Sequence, residues 1–263
     1  MNFKNTTYII MGGTTGMGLA SAMALKDNGA NVLVVGRNAD SCKTAETTLG
    51  KNALALKGDA THTETIKTAI KMAHEAFGAI TGLFHVAGGS GRKWGDGPLD
   101  QLTLEGWNKT MELNLTSVML SNQAMVQYFL DHKKEGAILN MGSVLGYSPS
   151  PKYFTTHAYA AAKSAIIGFS KSIASYYAPH NIRVNVITPS LFITPMAKRA
   201  AEDEEILSFL KTKQPLDGGR PGAPEDINNA VLMLLHPDSK FITGQVLAVD
   251  GGWSISEGQY PIS

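Results

Sequence analysis

The sequence predicts one doubly wound α/β domain, with a seven-stranded, mostly parallel sheet flanked by helices and a lid after the sixth strand. Three observations carry that expectation. Short β-branched runs alternate with longer helical patterns, the order that builds βαβ units. Several of the short runs are apolar almost throughout, as strands are when helices cover both faces. A glycine-rich turn joins the first apolar run to the first helical window.

Strands are expected at 7–11, 31–35, 53–57, 82–86, 137–141, 183–187 and 246–249. Helices are expected at 18–28, 63–77, 104–132, 159–178 and 224–236. No repeat, low-complexity tract or Pro/Gly linker divides the chain, so a single domain over 1–263 is expected. The stretch 189–222 breaks the alternation. It carries Pro195, Pro215, Pro221 and an acidic cluster from Glu202 to Glu205. Some thirty residues without a strand mark a substrate lid, and the acidic cluster reads as a solvated helix start.

Composition excludes several function classes. A hydrophobic share of 43% with 17% charged residues is enough for a sizeable core. A net charge of +1, with no long run of like charges, gives no electrostatic reason to expect nucleic acid or an anionic membrane as partner. The single cysteine, Cys42, rules out an internal disulfide and reads as a surface or helix residue without a redox role. Nothing calls for a metal. The first seven residues carry only Lys4 and no long apolar run, so no signal peptide is expected. The most apolar stretch, 231–235, is far short of the roughly 20 residues that span a bilayer. A cytoplasmic protein is the expectation.

The run from Tyr8 to Ala20 places Gly12, Gly16 and Gly18 in a G-x-x-x-G-x-G turn, with Thr14, Thr15 and Met17 between them. The glycines allow a tight turn, close approach of a diphosphate to bare backbone, and close packing of helix on strand. The amides of the following helix then favour the anion. About 20 residues on, where an acidic side chain would hold the ribose 2′-hydroxyl of NAD, the chain has Gly36, followed by Arg37 and Asn38. Arg37 either meets a 2′-phosphate or is a solvated loop residue; the guanidinium favours NADP(H), with NAD(H) possible. Asp59, followed by Ala60, either accepts from an adenine amino group or caps the next helix, where Thr61 competes. Ala87 and Gly88 are small enough for a ribose to lie against their backbone. His85, in an apolar strand, reads as a core histidine.

At the other end, Tyr159 and Lys163 open a helical window at i, i+4 spacing, which puts phenol and ammonium on one face. A free tyrosine, with a pKa near 10, is ionised only about once in a thousand at pH 7. A close positive charge, which a lysine and an oxidised nicotinamide ring can provide, would have to lower that value by roughly three pH units, about 4 kcal/mol, for the phenol to work near neutrality as acid or base. Ser143 follows the fifth strand, at the carboxyl edge where such sheets place ligands, and its hydroxyl is suited to hold a substrate oxygen. Asn114 is an unfavoured polar residue inside a helical window, which points to a hydrogen-bonding duty.

These residues, in this order, resemble the short-chain dehydrogenase/reductase superfamily, in its main branch of single-domain Rossmann-fold enzymes of roughly 250 residues. The resemblance runs from Thr7 to about Ser254 and is carried by the Gly12/Gly16/Gly18 turn, Asp59, Ala87-Gly88, Asn114, Ser143, Tyr159/Lys163, and Pro189 with Thr194. The closing run from Ile242 to Gly252 is similar as well. It implies Tyr159 as general acid/base, Ser143 as the group that orients the carbonyl, Lys163 on the nicotinamide ribose and tuning the phenol, and Asn114 anchoring a proton-relay water. It also implies that Pro189, Ser190, Phe192 and Thr194 pass over the nicotinamide, and that the protein forms a homotetramer or homodimer. Three departures stand out: Met11 for the usual Thr, Val86 for the usual Asn, and Ser190 for a common Gly.

The function expected is a hydride transfer between nicotinamide and a ketone or secondary alcohol, with a small carbonyl or alcohol as partner. A non-catalytic nucleotide-binding sensor or scaffold of the same fold is the alternative. Reduction of a C=C bond is disfavoured because related enoyl reductases usually separate Tyr and Lys more widely. Phe192, Met196 and Phe209 either line a pocket or pack. The same choice holds for Tyr147, Tyr153, Phe154 and His157, while Arg92 and Lys93 either meet an anionic substrate or are solvated.

Overall fold

The computed structural model describes residues 1–258. Seven strands, β1 (Thr7–Met11), β2 (Asn31–Gly36), β3 (Ala53–Lys57), β4 (Gly82–His85), β5 (Gly136–Met141), β6 (Ile182–Pro189) and β7 (Val246–Val249), form one sheet in the order β3-β2-β1-β4-β5-β6-β7. All six pairings are parallel, so the sheet is wholly rather than mostly parallel. Successive side chains point to opposite faces. On one face Tyr8, Ile10, Val32 and Val34 pack with α1 (Gly16–Asp27) and α9 (Asn228–Leu235). On the other, Ile9, Met11, Leu33 and Val35 pack with α3 (Thr63–Phe77) and α5 (Ser117–Asp131). Burial on both faces accounts for the nearly continuous apolar runs. Strand order reverses between β1 and β4, which opens a crevice at their carboxyl ends.

Some elements depart from expectation. Helix α2 (Ala39–Leu49) has no counterpart in the sequence reading. Its surface is polar and rich in threonine, and only Cys42, Ala45 and Leu49 are buried. The Asn38 side chain starts it by accepting from the Ser41 amide at 2.8 Å. Cys42 belongs to this helix but is not on the surface: it is 6% exposed, and its thiol donates to the Gly36 carbonyl.

The window read as one helix at 104–132 is α4 (Leu104–Met111) and α5 joined by a wide π-helical turn, Glu112–Thr116. The cause is side-chain competition for helical carbonyls: Asn114 Nδ2 donates to the Thr110 carbonyl at 2.9 Å and Ser117 Oγ to that of Leu113 at 2.8 Å.

The stretch after β6 holds two short helices, α7 (Lys198–Ala201) and α8 (Glu204–Lys213). Asp203 caps α8 by accepting from the amides of Glu205 and Ile206, so the acidic cluster does start a helix. Ile206 and Leu210 bring it onto Val144, Leu191 and Trp253. Among the described residues no helix is long and apolar enough to cross a membrane.

Helix α6 (His157–Tyr177) carries Tyr159 and Lys163, and its start is fixed from outside. Asp96, in the loop after β4, is 4% exposed. One carboxylate oxygen accepts from the Ala158 amide at 3.0 Å and the other from the Tyr159 amide at 3.1 Å. First-turn amides have no partner within the helix, and negative charge suits that end of the dipole. Replacing Asp96 with Ala is expected to cost about 1–2 kcal/mol, read as a lower urea midpoint at unchanged slope. Asp96→Asn keeps one acceptor and should lose less; equal midpoints for the wild type and Asp96→Ala would contradict this.

Candidate active site

The carboxyl ends of β1, β2 and β4 open into a groove of about 570 Å³. Next to it, at the ends of β5 and β6, lies a chamber of about 330 Å³. The two share Met17, Gly88, Gly89, Thr194 and Met196, so they form one continuous space.

The groove brings together Gly12, Thr14, Thr15, Gly16, Met17, Arg37, Asn38, Asp59, Ala60, Ala87 and Gly88. Gly12 has φ +82°, and a Cβ there would lie 2.7 Å from the Ala87 nitrogen, so bare backbone is required. Gly18 does not line the groove. A Cβ there would overlap the Gly12 carbonyl, so this glycine serves helix-on-strand packing. Asp59 Oδ1 accepts from the Thr61 amide at 2.9 Å and the Thr61 hydroxyl at 2.8 Å. Since His62 is the cap residue of α3, Asp59 shapes the preceding turn. Burial pushes the Asp59 carboxyl up, but the Thr61 hydrogen bonds and the nearby Arg37 charge outweigh it and hold the group below its usual range.

The chamber brings together Asn114, Ser143, Tyr159 and Lys163. Ser143 Oγ accepts from the Leu145 amide at 3.2 Å, which fixes the hydroxyl at the end of β5. Lys163, 3% exposed, donates to the Met141 carbonyl at 2.8 Å, and its Nζ lies 5.5 Å from the centre of the Tyr159 ring. Asn114 is fully buried. Its Nδ2 donates to the Gly89 carbonyl at 2.9 Å, and its Oδ1 accepts from the Gly89 amide at 3.1 Å. With the second Nδ2 bond to Thr110 both amide hydrogens are engaged, while Oδ1 keeps one lone pair. Pro189, Ser190 and Phe192, read from the sequence as nucleotide neighbours, line this chamber and not the groove, while Thr194 lines both.

The protein's own groups do not acidify the phenol. Burial pushes the Tyr159 phenol up to about 12, against a smaller opposing pull from the Ser143 hydroxyl. Burial also pushes the Lys163 ammonium down to about 7. Desolvation disfavours both charged forms, so the protein by itself holds the phenol protonated. His85 is a core histidine as read: fully buried, with Nδ1 2.6 Å from Ser121 Oγ, and pushed down to about 3 by burial and then by the Lys163 charge.

Of the aromatic loop residues, Phe154 lines the chamber, whereas Tyr147 bonds Thr188 and Tyr153 bonds Glu205. Phe209 packs on Tyr153 and Trp253. Trp253, 1% exposed, forms part of the chamber wall and was missed in the sequence; so were Arg199, on the wall, and Asp96, behind it. A tryptophan just after an apolar C-terminal strand was a usable signal for the first. The Gly95-Asp96-Gly97-Pro98 turn reads as surface, so nothing local marks a buried carboxylate.

The family described as Enoyl-(Acyl carrier protein) reductase matches residues 12–254. A 3-oxoacyl-[acyl-carrier-protein] reductase of Vibrio cholerae is 32% identical over 252 residues, covering 96% of this chain and 98% of the relative. A 2-(S)-hydroxypropyl-CoM dehydrogenase of Xanthobacter autotrophicus is 33% identical over 256 residues, covering 95% and 96%. A short-chain type dehydrogenase/reductase from Mycobacterium ulcerans superposes with a TM-score of 0.88 at 29% identity, over 97% of this chain and 92% of that one. The chain belongs to the short-chain dehydrogenase/reductase superfamily of oxidoreductases.

The depressed Lys163 gives a pH signature. Between about pH 7 and its ordinary value near 10, the unfolded chain holds a proton that the folded chain has released. Folding stability therefore rises with pH across that window and is lost as pH falls through 7. Lys163→Met should flatten this slope in urea titrations of the nucleotide-free protein. Identical slopes for the two proteins would contradict it.

Proposed function

We propose that the protein is a nicotinamide-dependent oxidoreductase acting on a ketone or secondary alcohol, with NADP(H) favoured over NAD(H). One observation carries the reading: Ser143, Tyr159 and Lys163 converge in a chamber that opens directly into the groove lined by Gly12, Gly16, Arg37 and Asp59. Two features suit a nucleotide there. The groove floor is backbone that a Cβ would obstruct at Gly12, and Ser190 Oγ in the chamber is buried without a partner among the described residues. Such an orphaned hydroxyl suits a carboxamide.

The turn from Gly12 to Gly18 would hold the diphosphate, Arg37 the 2′-phosphate, Asp59 and Ala60 the adenine end, Ala87 and Gly88 the ribose, and Ser190 and Thr194 the nicotinamide end. When bound, the nicotinamide gives or accepts the hydride. Ser143 holds the substrate oxygen beside the phenol. In reduction, Tyr159 donates its proton to that oxygen, a role the protonated phenol already fits. In oxidation, Tyr159 must take a proton, and Lys163 stabilises the phenolate to the extent that its ammonium is charged. Asn114 acts through shape: it ties Gly89 to the wide helical turn and so holds the floor between groove and chamber. Apolar walls from Phe154, Leu191 and Trp253 exclude water.

The relatives favour C=O and CH–OH chemistry over C=C reduction. Although the matching family is described by an enoyl reductase, the two relatives are named as a 3-oxoacyl reductase and a hydroxypropyl dehydrogenase. The three-residue spacing between Tyr159 and Lys163 agrees with them. Exposed Leu104, Trp107 and Tyr176 on α4 and α6 supply apolar surface for a homotetramer.

A panel of ketones and aldehydes with NADPH and then NADH tests the activity. Tyr159→Phe should lower kcat at least about a hundredfold while leaving nucleotide affinity intact; full turnover in that variant would end the proposed mechanism. Loss of a charge-assisted contact in Arg37→Ala should weaken NADPH binding about tenfold to a hundredfold with little change for NADH. A parallel loss for both nucleotides would remove Arg37 from cofactor choice.

A further inference from the structure

The chamber around Tyr159 is walled mainly by apolar side chains, among them Phe154, Leu191, Phe192 and Trp253. Two guanidinium groups break that pattern. Arg92 lies in the short turn after β4, and Arg199 lies in α7, in the stretch after β6. Both line the chamber, neither lines the nucleotide groove, and both also reach solvent, which sets them at its mouth. Among the described residues no carboxylate lies within ion-pair distance of either. Asp96, four residues beyond Arg92, is committed to the first amides of α6. The two cations are also close enough to feel each other: burial and then the Arg199 charge push the Arg92 guanidinium down, against a smaller opposing pull from the Asp96 carboxylate.

Two like charges brought to one apolar chamber from distant parts of the chain raise the energy of the empty site. An oxyanion between them removes that repulsion, and a guanidinium presents the planar fork that meets such a group with two parallel hydrogen bonds. The 2′-phosphate of a nucleotide is already provided for by Arg37 in the groove. We infer that the substrate carries a terminal oxyanion, a carboxylate or its sulfonate analogue, beyond its reacting carbon, and that Arg92 and Arg199 together hold it at the mouth of the chamber. This rests on the oxidoreductase reading above, whose chemistry places the reacting carbon at Tyr159.

The test uses ω-oxyanion methyl ketones as probes: 4-oxopentanoate, 6-oxoheptanoate and 8-oxononanoate, their sulfonate counterparts, and the methyl esters as neutral controls. Calorimetric titration into the protein saturated with NADP⁺ reads binding without turnover. At one chain length or more, an anionic probe should bind at least about tenfold more tightly than its ester. Whichever series does so identifies the head group. Arg92→Gln and Arg199→Gln should each lose about tenfold for that probe, the double variant should no longer separate it from the ester, and NADP⁺ affinity should stay unchanged. Anion and ester binding alike at every length, including no binding of either, would overturn the inference; so would a double variant that keeps the preference. Turnover with NADPH is measured on the same probes. Esters reduced without any preference for the anions would sink the anion site and leave the oxidoreductase reading standing. Anions bound through the arginines but never reduced would do the reverse.

Discussion

Because every strand of the sheet runs the same way, all the carboxyl ends finish along one edge, and the loops that follow them must share that edge. The reversal of strand order between β1 and β4 then splits these loops into two groups with a gap between them. Residues as far apart in sequence as Gly12, Arg37, Asp59 and Gly88 meet along the groove, and Ser143 and Tyr159 meet in the chamber beside it. Gly12, after β1, lets its backbone approach that of Ala87, after β4. Larger residues there would close the groove before any ligand arrived.

The chamber is apolar at the cost of its own charges. Phe154, Leu191 and Trp253 wall it, and burial holds Tyr159 protonated and makes Lys163 reluctant to carry charge. The pair i, i+4 on one helix suggests mutual activation on paper, but 5.5 Å from ammonium to ring centre, with the lysine turned to the Met141 carbonyl, is not a direct contact. What geometry supplies is placement; the electrostatic part depends on what else enters the space.

The fold was largely legible because its signals are local and repeated: apolar runs for strands, a glycine turn for the first crossover, and helical periodicity between them. Helix α2 was not, since its buried stripe is only Cys42, Ala45 and Leu49 amid threonines that favour other conformations. The interruption at Asn114 was visible as an awkward residue, though not as a wide turn, because its cause lies in hydrogen bonds to Thr110 and Gly89 that no pattern records. Tyr159, Lys163 and Ser143 could be found from spacing and from their position after strands. Arg199 could not be placed that way, because it joins the chamber only through the packing of α7.

The grip of Asp96 on α6 has a geometric consequence of its own. Its two oxygens hold two successive amides, which project from the helix end in different directions around the axis. Rolling the helix would lengthen one bond as it shortened the other, so the clasp fixes azimuth as well as position. The compass bearing of the phenol is therefore set by the loop that follows the neighbouring strand, β4.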